Sequence, residues 1–221
     1  MKLNVLYEDN HLIVVEKPAG ILVQGDKTGD PNLMDEVKKC LKEKYRKPGN
    51  VFLGLVHRLD RPVGGVLLFA KTSKGASRLS AQFRERAVEK YYFAIVAGKM
   101  KEENGKIVSF LKKDEKKNVA EVFDHEVLGA KRAELFWEVI KTGEKNTLLK
   151  IKLGTGRAHQ IRAQLASIGH PILGDLKYGA EKPLPDKSIA LFSAALTFKT
   201  ATGEKSETIE LPWPKAWEKY L

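Results

Sequence analysis

In the stretch GLVHRLDRPVGGVLLFAKT, residues 54–72, a single carboxylate, Asp60, stands between Arg58 and Arg61. A carboxylate held in a fixed place can attack an electrophile, or take a proton, and then leave again. Pro62 and the pair Gly64 and Gly65 follow at once. Proline fixes one backbone angle and glycine accepts angles that other residues avoid, so residues 62–65 read as a bend. Apolar runs on either side, residues 51–56 and 66–70, read as a strand leading in and a strand leading out. Such a bend holds a side chain at a sheet rim, where sites often lie. By spacing alone a plainer role fits better: an aspartate that caps a turn and pairs with a neighbouring arginine.

A second stretch, GTGRAHQIRAQLASIGHPILGD, gathers Arg157, His159, Gln160 and Arg162 behind Gly154 and Gly156. The glycines end a strand and a helix is expected to start immediately, with these four residues in its first turns. Backbone N–H groups at a helix start can bind phosphate; an amphipathic helix with a solvated basic end is the alternative. Ile161, Leu165 and Ile168 would face the core, with Arg162 at the edge of that stripe. His159 and His170 have no carboxylate or cysteine at metal-ligand spacing, so no metal site is expected. In a third stretch, EKYYFAIVAG, strand alternation points Tyr91, Phe93 and Ile95 one way and Tyr92, Ala94 and Val96 the other. Either tyrosine can equally fill core.

The elements that must position these residues are mostly strands. LNVLYEDNHLIVVEKPAG reads as two short strands around a polar turn, and PNLMDEVKKCLKEKYRK as a helix with Leu33, Val37, Leu41 and Tyr45 at helical spacing. TSKGASRLSAQFRERA is a second helix, capped by Thr72 or Ser73, with Ala76, Leu79 and Phe83 inward. KMKEENGKIVSFLKKDEKKNVAEVF is charged and turn-rich, and is expected to hold one or two edge strands and a mobile loop. AELFWEVIKT and NTLLKIKLGTG read as paired strands, and IALFSAALTFKT and KSETIELP as the last two. Strands outnumber helices and follow one another directly, which favours an α+β fold with a largely antiparallel or mixed sheet, in one domain over residues 1–221.

The 221 residues are 43% hydrophobic, enough for a real core. A formal net charge of +11 favours polyanionic partners, nucleic acid first and an anionic membrane surface second. The start of the chain has no signal pattern, and no apolar run approaches the roughly 20 residues that span a bilayer, so a cytoplasmic, soluble protein is expected. The one cysteine, Cys40, leaves no internal disulfide. No long exposed apolar pattern stands out, and a monomer is expected.

In order and spacing, LYEDNHLIVVEKPAGILV, HRLD, KYYFAIVAG, TGRAHQIR and GHPILGDLKYG resemble the RluA-type pseudouridine synthases over almost the whole chain. The resemblance implies an α+β catalytic fold with a mixed, largely antiparallel central sheet flanked by helices and an active-site cleft across the sheet. It implies isomerisation of uridines in rRNA or tRNA, or both, to pseudouridine, with no redox step and so no redox cofactor. Asp60 matches the catalytic aspartate, Tyr92 the active-site tyrosine, and Arg162 the basic residue that pairs with the aspartate. Arg58 matches the arginine that enters the space left by the extruded nucleotide. His57, Arg157, His159 and Gln160 fall on the RNA-binding side. A dry site disfavours a charged carboxylate and a nearby arginine favours it, so Arg162 is expected to keep Asp60 charged under bound RNA. The lysine-rich KKCLKEKYRK and FRERAVEK suit contacts to the RNA backbone. Residues 99–118 and 181–188 are the expected specificity loops. Many family members carry an N-terminal S4-type RNA-binding domain; this chain resembles the shorter ones.

Three departures stand out. The family's Thr-Ser-Gly after the aspartate is Val63-Gly64-Gly65, its histidine after HQIR plus one residue is Gln164, and its late Leu-His-Ala is Leu191-Phe192-Ser193. The first gives some weight to an alternative, an RNA-binding relative that has lost turnover. An unrelated phosphate hydrolase would need a phosphate-loop lysine motif, a metal-carboxylate cluster or a nucleophile elbow, none of which the sequence contains.

Overall fold

Four consecutive apolar residues open β2 (Leu12–Lys17), which is buried everywhere except Glu16. A run without alternation is what a strand covered on both faces requires. In the computed structural model, which describes residues 3–203 and 205–221, the chain falls into two compact units. The first comprises Met1–Glu89 with Ser193–Leu211, the second Lys90–Phe192 with Pro212–Leu221.

The first unit is built on the strand order β1-β2-β4-β10, with β11 on β10 and β3 on β4. These strands are β1 (Asn4–Glu8), β3 (Gly54–Leu55), β4 (Gly64–Ala70), β10 (Leu191–Lys199) and β11 (Ser206–Glu210). The pairings β1–β2, β2–β4, β3–β4 and β10–β11 are antiparallel. Helix α1 (Leu33–Lys44) starts where Asn32 accepts a hydrogen bond from the Asp35 amide, and α2 (Ser73–Arg84) where Thr72 accepts one from the Gly75 amide. Of the two expected caps, Thr72 takes the role, leaving Ser73 as the first helical residue. Leu12, Val14, Val66, Leu68, Leu79, Leu196 and Phe198 form the core.

Two expectations around Asp60 are corrected. Only Gly54 and Leu55 of the apolar run before it are strand. Gly64 and Gly65 belong to β4, and the turn proper is at Arg61 and Pro62. The glycines are there for close approach: Gly65 has φ +115°, and a Cβ on it would lie 2.6 Å from the Ser193 amide nitrogen and closer still to the Ser193 carbonyl oxygen.

The second unit is an antiparallel sheet in the order β5-β9-β8-β6-β7. Its strands are β5 (Glu89–Ala97), β6 (Asn104–Asp114), β7 (Val119–Phe123), β8 (Lys131–Thr142) and β9 (Asn146–Leu153). The charged stretch expected to hold one or two edge strands and a mobile loop contains β6 and β7, and β6 is not an edge: it is an 11-residue strand paired on both sides. Lys106 and Lys112 are exposed on one face while Ser109 and Leu111 are buried on the other. Helix α3 (Gln160–Ser167) covers that face, with Ala163 against Leu111, Ala120 and Ala133. Among the described residues no helix is long and apolar enough to cross a membrane. In each unit strands predominate and the pairings of known register are antiparallel, as the α+β reading expected.

Candidate active site

Asp60 is half-buried on a loop whose course is set by one fully buried cation, Lys17. The Lys17 ammonium donates to the carbonyls of Val63 at 2.6 Å, Pro18 at 3.0 Å and Arg61 at 3.1 Å. It thereby ties the residues on either side of the Pro62 turn to the end of β2. Burial pulls the Lys17 pKa down to about 8, although the charge of Asp60 opposes that shift; Arg61 adds to it. A second tie joins Arg61 to Gly20. The Gly20 amide donates to the Arg61 carbonyl at 2.8 Å, and Arg61 Nε to the Gly20 carbonyl at 3.0 Å. Arg61 also meets Asp30 at 2.8 Å. Arg61, which the sequence left without a task, is part of the scaffold of the loop. The Val63 amide closes the turn on the Asp60 carbonyl at 3.0 Å.

The glycine kept at the end of the first departure meets the residue of the third, Ser193, in this scaffold. Gly65 lies against the backbone of Ser193, and the Ser193 hydroxyl donates to the Val66 carbonyl at 3.0 Å. The second departure, Gln164, is fully buried in the second unit; its amide donates to Ser109 Oγ at 2.9 Å. Its Oε1 is a buried side-chain acceptor without a partner.

His57 and Arg58 precede Asp60 on the same segment. Arg58 is exposed. The His57 ring is half-buried, stacked on Phe83 at 4.7 Å, and its Nε2 accepts the Leu68 amide at 3.0 Å. These contacts make His57 a fixed part of the first unit. Of the lysine-rich segment in α1, Lys44 is tied to Glu8 at 2.7 Å.

In the second unit Tyr92 is buried on β5 opposite Ile151 of β9, on the face that also buries Ala94 and Val96. The helix that carries Arg162 starts later than expected. Arg157 and His159 lie before it, and His159 has the left-handed φ of +53° at the N-cap position. The turn is shaped by Gln160, which is buried. Its Oε1 accepts from the Thr155 hydroxyl at 2.7 Å and the Arg157 amide at 3.0 Å, and its Nε2 donates to the Glu134 carbonyl at 2.9 Å. Expected on the RNA side, Gln160 instead spends its amide on this turn. Arg157 Nε donates to the Arg132 carbonyl at 3.2 Å. His159 Nδ1 and the Tyr178 hydroxyl are hydrogen-bonded at 2.8 Å.

Ile161 and Leu165 are buried as expected, but Ile168 is 41% exposed because α3 ends one residue earlier. Arg162 is not at the edge of a stripe: the helix is buried from Gln160 through Leu165. Within its unit Arg162 makes a buried ion pair with Asp175, at 2.7 Å from Nε to Oδ2. The Tyr178 ring lies 5.1 Å from its Cζ.

Residues 11–167, a span that takes in Asp60, Tyr92 and Arg162, match the family of RNA pseudouridylate synthases. The chain belongs to that family. It is 32% identical over 223 residues to a ribosomal large subunit pseudouridine synthase C of Vibrio parahaemolyticus, covering 98% of this chain and 68% of the relative. It is 35% identical over 177 residues to the dual-specificity RNA pseudouridine synthase RluA of Haemophilus influenzae, covering 80% of this chain and 77% of that protein. The RluA-type resemblance therefore stands. The human RNA pseudouridylate synthase domain containing 4 shares the fold, with a TM-score of 0.81 at 22% identity over 97% of this chain and 90% of that one. The chain spans 68% of the length of the first relative and as little as 52% of another pseudouridine synthase C.

Sequence reasoning passed over three residues that hold the candidate groups in place: Lys17, Asp175 and Tyr178. Lys17 ends a strand that opens with four apolar residues and precedes Pro18, a weak sign that its side chain turns inward. Asp175 and Tyr178 lie inside the quoted GHPILGDLKYG, but no local pattern couples them to a helix that begins 15 residues before Asp175.

Proposed function

We propose that this chain isomerises uridines of ribosomal RNA, transfer RNA or both to pseudouridine, with Asp60 as the reacting carboxylate. The observation that carries the reading is the family match across Asp60, Tyr92 and Arg162, joined to a loop built to hold Asp60 in place. The reaction breaks the N1–C1′ bond and forms C5–C1′; C5 gives up its proton and N1 gains one. No electrons are exchanged with a second substrate. Asp60 acts as nucleophile or proton acceptor and is regenerated. Tyr92 offers a flat face to the uracil and a phenol for the proton at C5. Arg162 favours the charged carboxylate once water is gone. Extruding the nucleotide costs about a few kcal/mol, which Arg58 offsets by filling the gap. Arg157 and His159 serve the RNA side. Both units act as one catalytic domain, and the protein works as a cytoplasmic monomer.

The test is to incubate wild type and Asp60→Asn with unmodified rRNA and tRNA transcripts and map pseudouridine at single-nucleotide resolution. Sites made by wild type and missing with Asp60→Asn are the expected result. RNA binding by both proteins without any product would instead make the chain a silent relative.

A further inference from the structure

Arg162 and Asp175 are both side chains that folding has taken out of water, at 6% and 1% exposure. Arg162 Nε donates to Asp175 Oδ2 at 2.7 Å and Nη2 to Oδ1 at 2.8 Å. Two parallel bonds fix the plane of a guanidinium as well as its place. Asp175 is itself held: its amide donates to the Ile172 carbonyl, and its carbonyl accepts from the amides of Tyr178 at 3.0 Å and Ala180 at 3.1 Å. The same short turn supplies the Tyr178 ring against the guanidinium. The Tyr178 oxygen is anchored by the Ala120 amide at 2.6 Å and by His159 Nδ1.

A buried ion pair seldom improves on well-packed apolar residues as a source of stability. A lysine of equal charge could not make the fork. Asp175 also balances the charge of Arg162, so the arginine contributes directed N–H groups more than net positive charge. A guanidinium has five N–H donors, and this pair takes two of them.

We propose that Asp175 is a positioning residue for the isomerisation: it fixes one edge of Arg162, with Tyr178 supporting the plane, so that the guanidinium keeps one orientation during the reaction. This role rests on the functional reading of Arg162 given above.

The test uses the full chain and an unmodified large-subunit rRNA transcript. Asp175→Asn keeps size and one acceptor but loses the charged fork. Its single-turnover rate should fall at least about tenfold, while RNA affinity changes less than about twofold. The slowly exchanging 15N–1H signal of Arg162 Nε, assigned by its loss in Arg162→Lys, should shift or vanish. Arg162→Lys should lose a similar factor although its charge is kept, and the double variant should fall no further than either single one. Wild-type rate in Asp175→Asn overturns the proposal. So do additive losses in the double variant, or equal losses of rate and RNA affinity. Should Asp175→Asn not fold, Arg162→Lys carries the comparison, and wild-type rate there overturns it. Absence of pseudouridine with the wild type overturns the functional reading and this role with it, whereas the Nε signal reports the clamp in either case.

Discussion

The Asp60 loop and the Arg162 helix hold their key side chains by opposite means. The loop is held through backbone: one buried ammonium gathers three carbonyls, and glycine lets β4 approach Ser193. The helix is held through side chains: a carboxylate fork, a ring face and a buried amide. Carbonyls are present whatever the side chain, so the loop tolerates Val63-Gly64-Gly65 in place of Thr-Ser-Gly. The helix has no such latitude, because each contact names a residue type. Substitutions along the loop should therefore matter only where they strike the backbone or Lys17.

The largest effect expected on that view is at Gly65. A Cβ there is forced to a positive φ, at about 1–2 kcal/mol, and into the Ser193 backbone, at about 1–3 kcal/mol more. Gly65→Ala should lose roughly 2–5 kcal/mol in urea unfolding. A loss under about 1 kcal/mol would mean that the backbone approach is not what the glycine serves.

Next in size is Lys17→Met, which keeps bulk but strands three carbonyls. Each costs about 1–3 kcal/mol when left unpaired, and removal of the buried charge offsets part of that. A net loss of about 2–3 kcal/mol is expected, with single-turnover rate down roughly 10- to 100-fold. The same lysine gives the wild type an alkaline limb. Above a pKa of about 8 its neutral amine has two N–H groups for three carbonyls, so rate should fall from pH 8 to 9. Stability moves the other way. The folded pKa lies below the ordinary 10.5, so between about 8 and 10.5 the unfolded chain binds the extra proton. This group's contribution to stability then rises with pH. Rate and melting temperature measured together across pH 7–9.5 check the sign; the limb should be missing from Lys17→Met.

The same contrast explains what could be read from sequence. Helices α1 and α2 and the β8–β9 pair were legible because caps, periodicity and turns are local. Asp60 and Tyr92 stand out through motifs that resemble the family, and their roles belong to the proposed function. Lys17 was not, because its acceptors lie 44 and 46 residues further along the chain as well as next door. Gly65 read as a bend because its reason, Ser193, is the width of the second unit away in sequence. The start of α3 was misplaced because a side-chain amide bonded to Glu134 and Thr155 holds residues 157–159 out of the helix. Strand β6 reads as an edge because its charges are local, whereas it lies between β7 and β8, which come later in the chain.

The smallest effect sharpens the comparison most. Val63→Thr returns the hydroxyl that the family has at the first position after the aspartate and its neighbours. Val63 is buried, and its carbonyl is already the shortest acceptor of Lys17. A hydroxyl placed there gives up apolar burial without adding a tie that the backbone lacks, at about 1 kcal/mol. Rate should stay within about twofold, since the carbonyl, not the side chain, fixes the course of the loop. A rise in rate well beyond that in a single-turnover assay would show that Asp60 is under-held in this chain. The loop and the helix would then depend on side chains alike.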